Sequence, residues 1–147
     1  MSDFFDPAAF LNTETTEEGS TEFVAVPDGE YPAHITEVEP KIVGQNSDVT
    51  VLDLLWDVQH PELSDEVGRT SSKVRQRVFL DMNDMNQLDF GVGKNITLNR
   101  LRDALEQNIA GQPWSPSMLN GGSAIVKVEQ RVWEGRTFND VKNVIAA

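Results

Sequence analysis

The chain of 147 residues contains no cysteine and no apolar run long enough to cross a membrane. The first absence excludes disulfide bonds, thiolate catalysis and any zinc site that needs sulfur ligands. The second excludes a transmembrane helix, which requires roughly 18–20 consecutive apolar residues. The N-terminal residues also lack the basic start and apolar stretch of a signal peptide. From these absences we expect a cytoplasmic protein that makes no contact with a membrane.

Basic residues are nearly absent from the first half of the chain. Residues 1–66 contain 16 Asp and Glu against one Lys, a net charge of −15, whereas residues 67–147 contain 8 Asp and Glu against 11 Lys and Arg, a net charge of +3. Such asymmetry is typical of an acidic segment attached to a mildly basic working surface. An acidic surface that only keeps the protein soluble explains the overall charge equally well.

The residues that an enzyme site needs are scarce as well. The chain has two histidines and no nucleophile elbow, so no catalytic triad can be assembled from it. The GVGKN run at residues 91–95 departs from a phosphate-binding loop at Leu88 and Asn95. The residues His60, Glu62, Asp65 and Glu66 could bind a metal only weakly, and a solvated loop explains them better. We therefore expect a non-catalytic binding protein with no metal and no cofactor.

One strong helical pattern lies at residues 95–110. Its apolar side chains recur at helical spacing, and polar side chains, Arg102 among them, occupy the other side. Asn95 or Thr97 can cap the start, and Gly111 followed by Pro113 is expected to end the helix. Three strand-like runs precede this helix, the second at residues 49–58 with Trp56 on its apolar face, and two follow it, joined by a hairpin turn at Glu134-Gly135-Arg136. The order predicts a mainly β fold, a five-stranded OB-fold barrel at residues 23–147 with the helix between strands three and four.

The third predicted strand, residues 73–81, alternates apolar with basic or aromatic side chains, and the fourth, residues 123–133, repeats the pattern with Val132 pointing inward. Basic groups follow phosphates, and an exposed aromatic ring stacks on a base. The alternative is a solvated strand face on which Phe79 covers the edge of the core. The predicted nucleic-acid-binding residues are Lys73, Arg75, Arg77, Phe79, Trp114, Lys127, Arg131 and Trp133.

Residues 1–22 are predicted to form a flexible acidic N-terminal arm. Its tip is rich in Phe, Asp6-Pro7 is a plausible helix start, and residues 12–22 are polar and acidic, as in a linker. Such a tip is typical of a partner-docking segment. The alternative is a tip that folds back and packs Phe4 and Phe10 on the barrel. The predicted partner-binding residues are Asp3, Phe4, Phe5 and Asp6.

Short motifs spread over residues 23–145 resemble a family of phage-encoded single-stranded-DNA-binding proteins, long catalogued only as a domain of unknown function. They are Val26-Pro27-x-Gly29-x-Tyr31, Leu119-x-Gly121, the pair Val126 and Val128, and Phe138-Asn139-Asp140-Val141-Lys142. The resemblance implies an OB-fold that coats single strands during viral DNA replication, recombination or repair, without catalysis. It places the protein in the cytoplasm of the host cell.

Many single-strand binders end in an acidic C-terminal tail that recruits partners, whereas this chain ends in NVIAA and carries its acidic segment at the N-terminus. The expected partners are therefore single-stranded DNA and replication or recombination proteins reached through the N-terminal arm. A homo-oligomer is compatible with the sequence. The alternative function is a β-rich virion or assembly domain, or a protein adaptor, that does not bind DNA.

Overall fold

The computed structural model describes residues 5–19 and 23–147, so the predicted docking residues Asp3 and Phe4 lie outside the described part. No helix within these two ranges is both long and apolar enough to cross a membrane. Short 3₁₀ helices occupy Pro61–Leu63 and Pro116–Leu119. The longer elements are α1 (Pro7–Leu11), β1 (Gly29–Val43), β2 (Val49–Gln59), α2 (Ser64–Val67), β3 (Ser71–Phe79), α3 (Ile96–Ala104), β4 (Ser123–Trp133) and β5 (Arg136–Ile145).

The five strands form one antiparallel sheet in the order β3-β2-β1-β4-β5. β1 pairs with β4 over residues 29–34 and with β2 over residues 33–43, and a bulge between Ile35 and Glu37 bends it. Among the described residues no ladder joins β3 to β5, although these two edge strands approach within 8 Å between Cα atoms. The mainly β class and the place of α3 are confirmed, but the sheet is not closed into the expected barrel.

One face of the sheet forms the core because apolar side chains alternate along the strands. Trp56 is fully buried, as its position in the second strand-like run predicts, and its indole N–H donates to Gln76 Oε1 at 2.8 Å. Leu98 and Leu101 of α3 pack against this face. The other buried side chains of the cluster are Ala33, Ile35, Leu52, Leu54, Val58, Val74, Val78, Leu119, Ala124, Val126, Val128 and Val141.

α3 is shorter than the sequence predicts. It ends at Ala104 because the chain turns into the left-handed region at Glu106, where φ is 58°. The amide of Gln107 then donates to the carbonyl of Arg102 at 2.8 Å, which is the long bond of a Schellman ending. The predicted end at residue 111 is therefore wrong.

Asn95 stands at the start of α3 but does not cap it with its side chain. Its Oδ1 accepts the Asp81 N–H at 2.8 Å, and its Nδ2 donates to the carbonyls of Asp81 and Asp89 at 2.9 and 2.8 Å. The Asn95 N–H donates in turn to Asp81 Oδ2 at 2.8 Å. Asn95 is 2% exposed, so this buried side chain fastens the connection from β3 to α3.

The β4–β5 hairpin extends beyond the rest of the sheet, since β4 pairs with β1 only as far as Val128. The predicted turn is confirmed: Glu134 and Gly135 both have positive φ, 50° and 76°, as a type I′ hairpin turn requires. Val132 is 71% exposed, so its predicted inward position is wrong. In the part of the chain that the structure describes, β5 is the one strand that pairs with this part of β4, and the core has already ended there.

The N-terminal segment begins its helix where the sequence predicts. Asp6 Oδ1 accepts the N–H groups of Ala8 and Ala9 at 3.1 and 3.3 Å, which caps α1. Phe10 is 60% exposed and packs with Phe5 at 5.2 Å between ring centroids. Packing of Phe10 on the sheet, the alternative for this tip, is therefore wrong.

Candidate nucleic-acid interface

Four predicted binding residues lie together on the outward side of β3. Val74 and Val78 point into the core, so the side chains at the alternating positions 73, 75, 77 and 79 point to solvent. Phe79 keeps 61% of its surface exposed. We call this surface the β3 face, and its residues are Lys73, Arg75, Arg77 and Phe79.

Carboxylates of β2 oppose two of the three cations on the β3 face. Lys73 Nζ lies 3.5 Å from Asp57 Oδ2. Arg77 makes a bidentate pair with Asp53, with Nε and Nη2 donating at 2.8 and 3.0 Å. Arg75 stands opposite Leu55 instead, and within the described ranges no carboxylate lies within 4 Å of its guanidinium. Arg75 therefore keeps its donors for a ligand.

Two neighbouring cations, Arg77 and Lys41, stabilise the ionised carboxylate of Asp53. The hydrogen bond from Arg77 holds the pKa of Asp53 below its ordinary value, and Lys41 Nζ at 3.3 Å acts in the same direction. Burial of Asp53, which is 9% exposed, opposes both. The same hydrogen bond raises the pKa of Arg77.

Asp53→Asn is expected to lower the free energy of unfolding at neutral pH, because it removes the negative charge that Arg77 and Lys41 share and one of the two acceptor oxygens. A carboxyl whose folded pKa is depressed stabilises the fold above its unfolded pKa, and this contribution disappears as the pH falls through the folded pKa. The difference from the wild type should therefore shrink as the pH falls below 3.8, the ordinary value. Urea midpoints across that range measure it, and a difference that persists unchanged in acid would contradict the assigned cause.

A row of acidic side chains on β1 separates β3 from β4. Glu37 lies opposite Leu55, Glu39 opposite Asp53, and Glu30 opposite Lys127, all on the outward side. The three glutamates are exposed. Because carboxylates repel phosphates, this row disfavours a nucleic-acid path that runs directly from the β3 face across β1 to β4.

The predicted binding residues of β4 are exposed but engaged with acidic neighbours. Lys127 Nζ lies 3.7 Å from Glu129 Oε1, and Arg131 Nε donates to Asp140 Oδ2 at 2.8 Å. Trp133, which is 58% exposed, stands next to the hairpin turn. In the sheet, β2 and β1 lie between β3 and β4. The exposed residues of β4 therefore form a group that is separate from the β3 face.

Trp114 lies elsewhere, in the loop that follows α3. Its indole N–H donates to Gln107 Oε1 at 2.9 Å, and the guanidinium of Arg102 sits 4.1 Å from its ring centroid. The ring is partly buried against the core. The structure therefore does not bring Trp114 to the β3 face, and no local pattern in the loop indicates this packing.

Two cations that the sequence did not single out meet at the seam between β3, β5 and α3. Arg100 and Lys142 line a cavity of about 110 Å³ together with Gln76, Thr97 and Asn143. In the part of the chain that the structure describes, neither cation has a carboxylate within 4 Å. Their meeting depends on the approach of β5 to β3, which no local pattern reveals.

The His60 side chain is hydrogen-bonded to Ser72 at the start of β3. Arg69 Nε donates to Ser72 Oγ at 2.8 Å, and the same hydroxyl is hydrogen-bonded to His60 Nε2 at 2.7 Å. His60 is 2% exposed. Across residues 5–19 and 23–147, no three His, Cys, Asp or Glu side chains gather as a metal site would require.

No family model matches the chain, and no curated protein is detectably similar to it.

Proposed function

We propose that the chain is a non-catalytic protein that binds single-stranded DNA on the β3 face. The observation that carries this proposal is the exposed ring of Phe79 in line with Arg75 and Arg77 at two-residue spacing. A base stacked on such a ring contributes roughly 1–3 kcal/mol, and the guanidinium groups pair with phosphates. Stacking on an aromatic ring is possible for every base, and phosphate contacts do not involve the base at all. Sequence preference should therefore be slight.

The strand order supports the proposal. The order β3-β2-β1-β4-β5, with α3 between β3 and β4, is that of an OB-fold opened between its third and fifth strands. OB-folds are partly open barrels that bind oligonucleotides on the face of strands two and three. Together with the resemblance to phage single-strand-binding proteins, this favours a role in phage DNA replication, recombination or repair in the host cytoplasm, with Phe5 and Asp6 of the arm reaching partner proteins.

Fluorescence anisotropy of a labelled oligothymidine, titrated with the chain at several salt concentrations, tests the proposal. With about three phosphate contacts, the logarithm of the association constant should fall against the logarithm of salt with a slope of about −2. A duplex of the same length should bind much more weakly, because its bases are already stacked. No binding at low salt, or equal affinity for duplex, would refute single-strand recognition.

Asp53→Asn should also tighten DNA binding by a few-fold, because it releases Arg77 from the bidentate pair for contact with phosphate. Asp84→Asn is the matched control: it removes the same charge at an exposed position in the connection after β3. The same anisotropy titration compares the two variants. Equal gains in both would show that only net charge changed.

A second candidate function, a protein adaptor in a virion or assembly, is favoured by a different observation. Val132 and Trp133 expose apolar surface at the end of the β4–β5 hairpin, beside the acidic Glu134. Exposed aromatic surface of this kind suits a protein partner. A chain that binds no DNA at low salt would make this the better assignment.

A further inference from the structure

An open cavity of about 390 Å³ lies at the C-terminal end of α3, away from the β3 face. Its walls are largely apolar and aromatic, and one cation stands among them. The residues that matter for its chemistry are Phe90, Arg102, Ile109, Gln112 and Trp114.

Arg102 is unusual for a charged residue because it is only 7% exposed, although the sequence placed it on the polar side of the helix. Its Nη2 donates to the carbonyl of Gln107 at 3.1 Å, whereas its buried Nε has no acceptor. The guanidinium lies 4.1 Å from the ring centroid of Trp114 and 5.8 Å from that of Phe90.

Burial lowers the pKa of Arg102, and the charge of the neighbouring Asp103 opposes this only in part. In the described part of the chain no carboxylate lies within 4 Å of the guanidinium. A buried charge without a directly paired carboxylate is costly, so the cavity is suited to an anionic group. The apolar walls favour a ligand that also carries a hydrophobic side chain next to its anionic group. The matching ligand is therefore an acidic peptide that carries an aromatic or aliphatic residue.

The N-terminal segment of the chain has this chemistry. Phe5, Phe10 and Leu11 are 69%, 60% and 80% exposed, and every residue from 5 to 19 is exposed. Both capping bonds of α1 go to Asp6 Oδ1, which leaves Oδ2 for another donor. Three glutamates follow within residues 14–18. An apolar helix flanked by carboxylates and an apolar cavity that holds a guanidinium are complementary.

We infer that the cavity of one copy receives the segment 5–11 of a second copy, with an apolar side chain of α1 between Phe90 and Trp114 and the carboxylate of Asp6 facing Arg102. Such a contact joins two different surfaces, so it is heterologous and produces self-association that grows with concentration. Because the cavity is separate from the β3 face, this inference does not depend on DNA binding.

The test uses a peptide of residues 1–19, labelled at its C-terminal end, titrated with the full-length chain by fluorescence anisotropy. Binding is expected, and salt should weaken it. Ile109→Glu, at a position 48% exposed on the cavity wall, should bind at least about tenfold more weakly, because it places a negative charge beside the acidic peptide. Ile96→Glu, at a position 45% exposed on α3 outside the cavity, is the matched control and should bind as the wild type does.

Two further measurements separate this inference from the proposed function. A peptide with Phe5→Ser and Phe10→Ser should not bind, and the full-length Ile109→Glu chain should self-associate less in sedimentation velocity. An Arg75→Ala/Arg77→Ala chain should still bind the peptide. No peptide binding, or equal binding by both Glu variants, would overturn the inference. Displacement of the peptide by oligothymidine from the Arg75→Ala/Arg77→Ala chain would also overturn it, by assigning the cavity to DNA.

Discussion

An Arg75→Ala/Arg77→Ala double variant is expected to bind single-stranded DNA roughly 30- to 100-fold more weakly than the wild type at low salt. A hydrogen bond to a charged group contributes about 1.5 kcal/mol or more, close to tenfold in affinity. Arg75 should account for the larger share, because Arg77 must exchange Asp53 for a phosphate. The salt slope should flatten by about 0.7 for each phosphate that is no longer neutralised. Anisotropy titrations across a salt series measure both quantities.

The matched control is Lys127→Ala/Arg131→Ala, which removes the same charge from β4. Because these two cations are ion-paired and acidic residues of β1 stand between them and the β3 face, the control should bind within about threefold of the wild type. Equal reductions in both double variants would show that DNA contacts both groups. A reduction only in the β4 variant would move the interface to the hairpin.

Asn95→Ala is expected to lower the free energy of unfolding by about 2–4 kcal/mol. It leaves the amide of Asp81 and the carbonyl of Asp89 without their buried partner, and unsatisfied buried groups cost about 1–3 kcal/mol each. The left-handed conformation of this residue, with φ of 53°, also suits Asn better than Ala. Urea unfolding followed by circular dichroism measures the change.

Asn99→Ala serves as the control on the same helix, since Asn99 makes a single exposed bond, to the Lys94 carbonyl at 3.2 Å. We expect it to change the free energy of unfolding by less than about 1 kcal/mol. If Asn95→Ala were no more destabilising than this control, the connection between β3 and α3 would not depend on the Asn95 side chain.

Strand positions were predictable because alternation along a strand reports burial directly. The outward set of β3 and the buried position of Trp56 follow from the local pattern alone. Val132 obeys the same alternation yet is exposed, because burial also needs a neighbouring strand to extend the core, and β1 pairs with β4 only to Val128. A local pattern carries no information about where pairing ends.

The functional surface was harder to predict than the strands. The sequence shows that Arg77 and Lys73 are basic, but their carboxylate partners Asp53 and Asp57 come from a strand about 20 residues earlier and are revealed only by register. Arg102 has an ordinary polar position in the helical pattern, and its burial depends on Trp114, which arrives from the following loop. Non-local contacts of this kind decide which cations are free.

Photochemical crosslinking of an oligothymidine that contains 4-thiothymidine, followed by tryptic digestion and mass spectrometry, locates the DNA most directly. The expected adduct lies at Phe79 in the tryptic peptide of residues 78–94, and fragment ions distinguish it from Phe90 in the same peptide. Crosslinking should fall in the Arg75→Ala/Arg77→Ala chain. Adducts confined to Trp133 of the hairpin or to the loop around Trp114, or none under conditions that saturate binding, would contradict recognition on the β3 face.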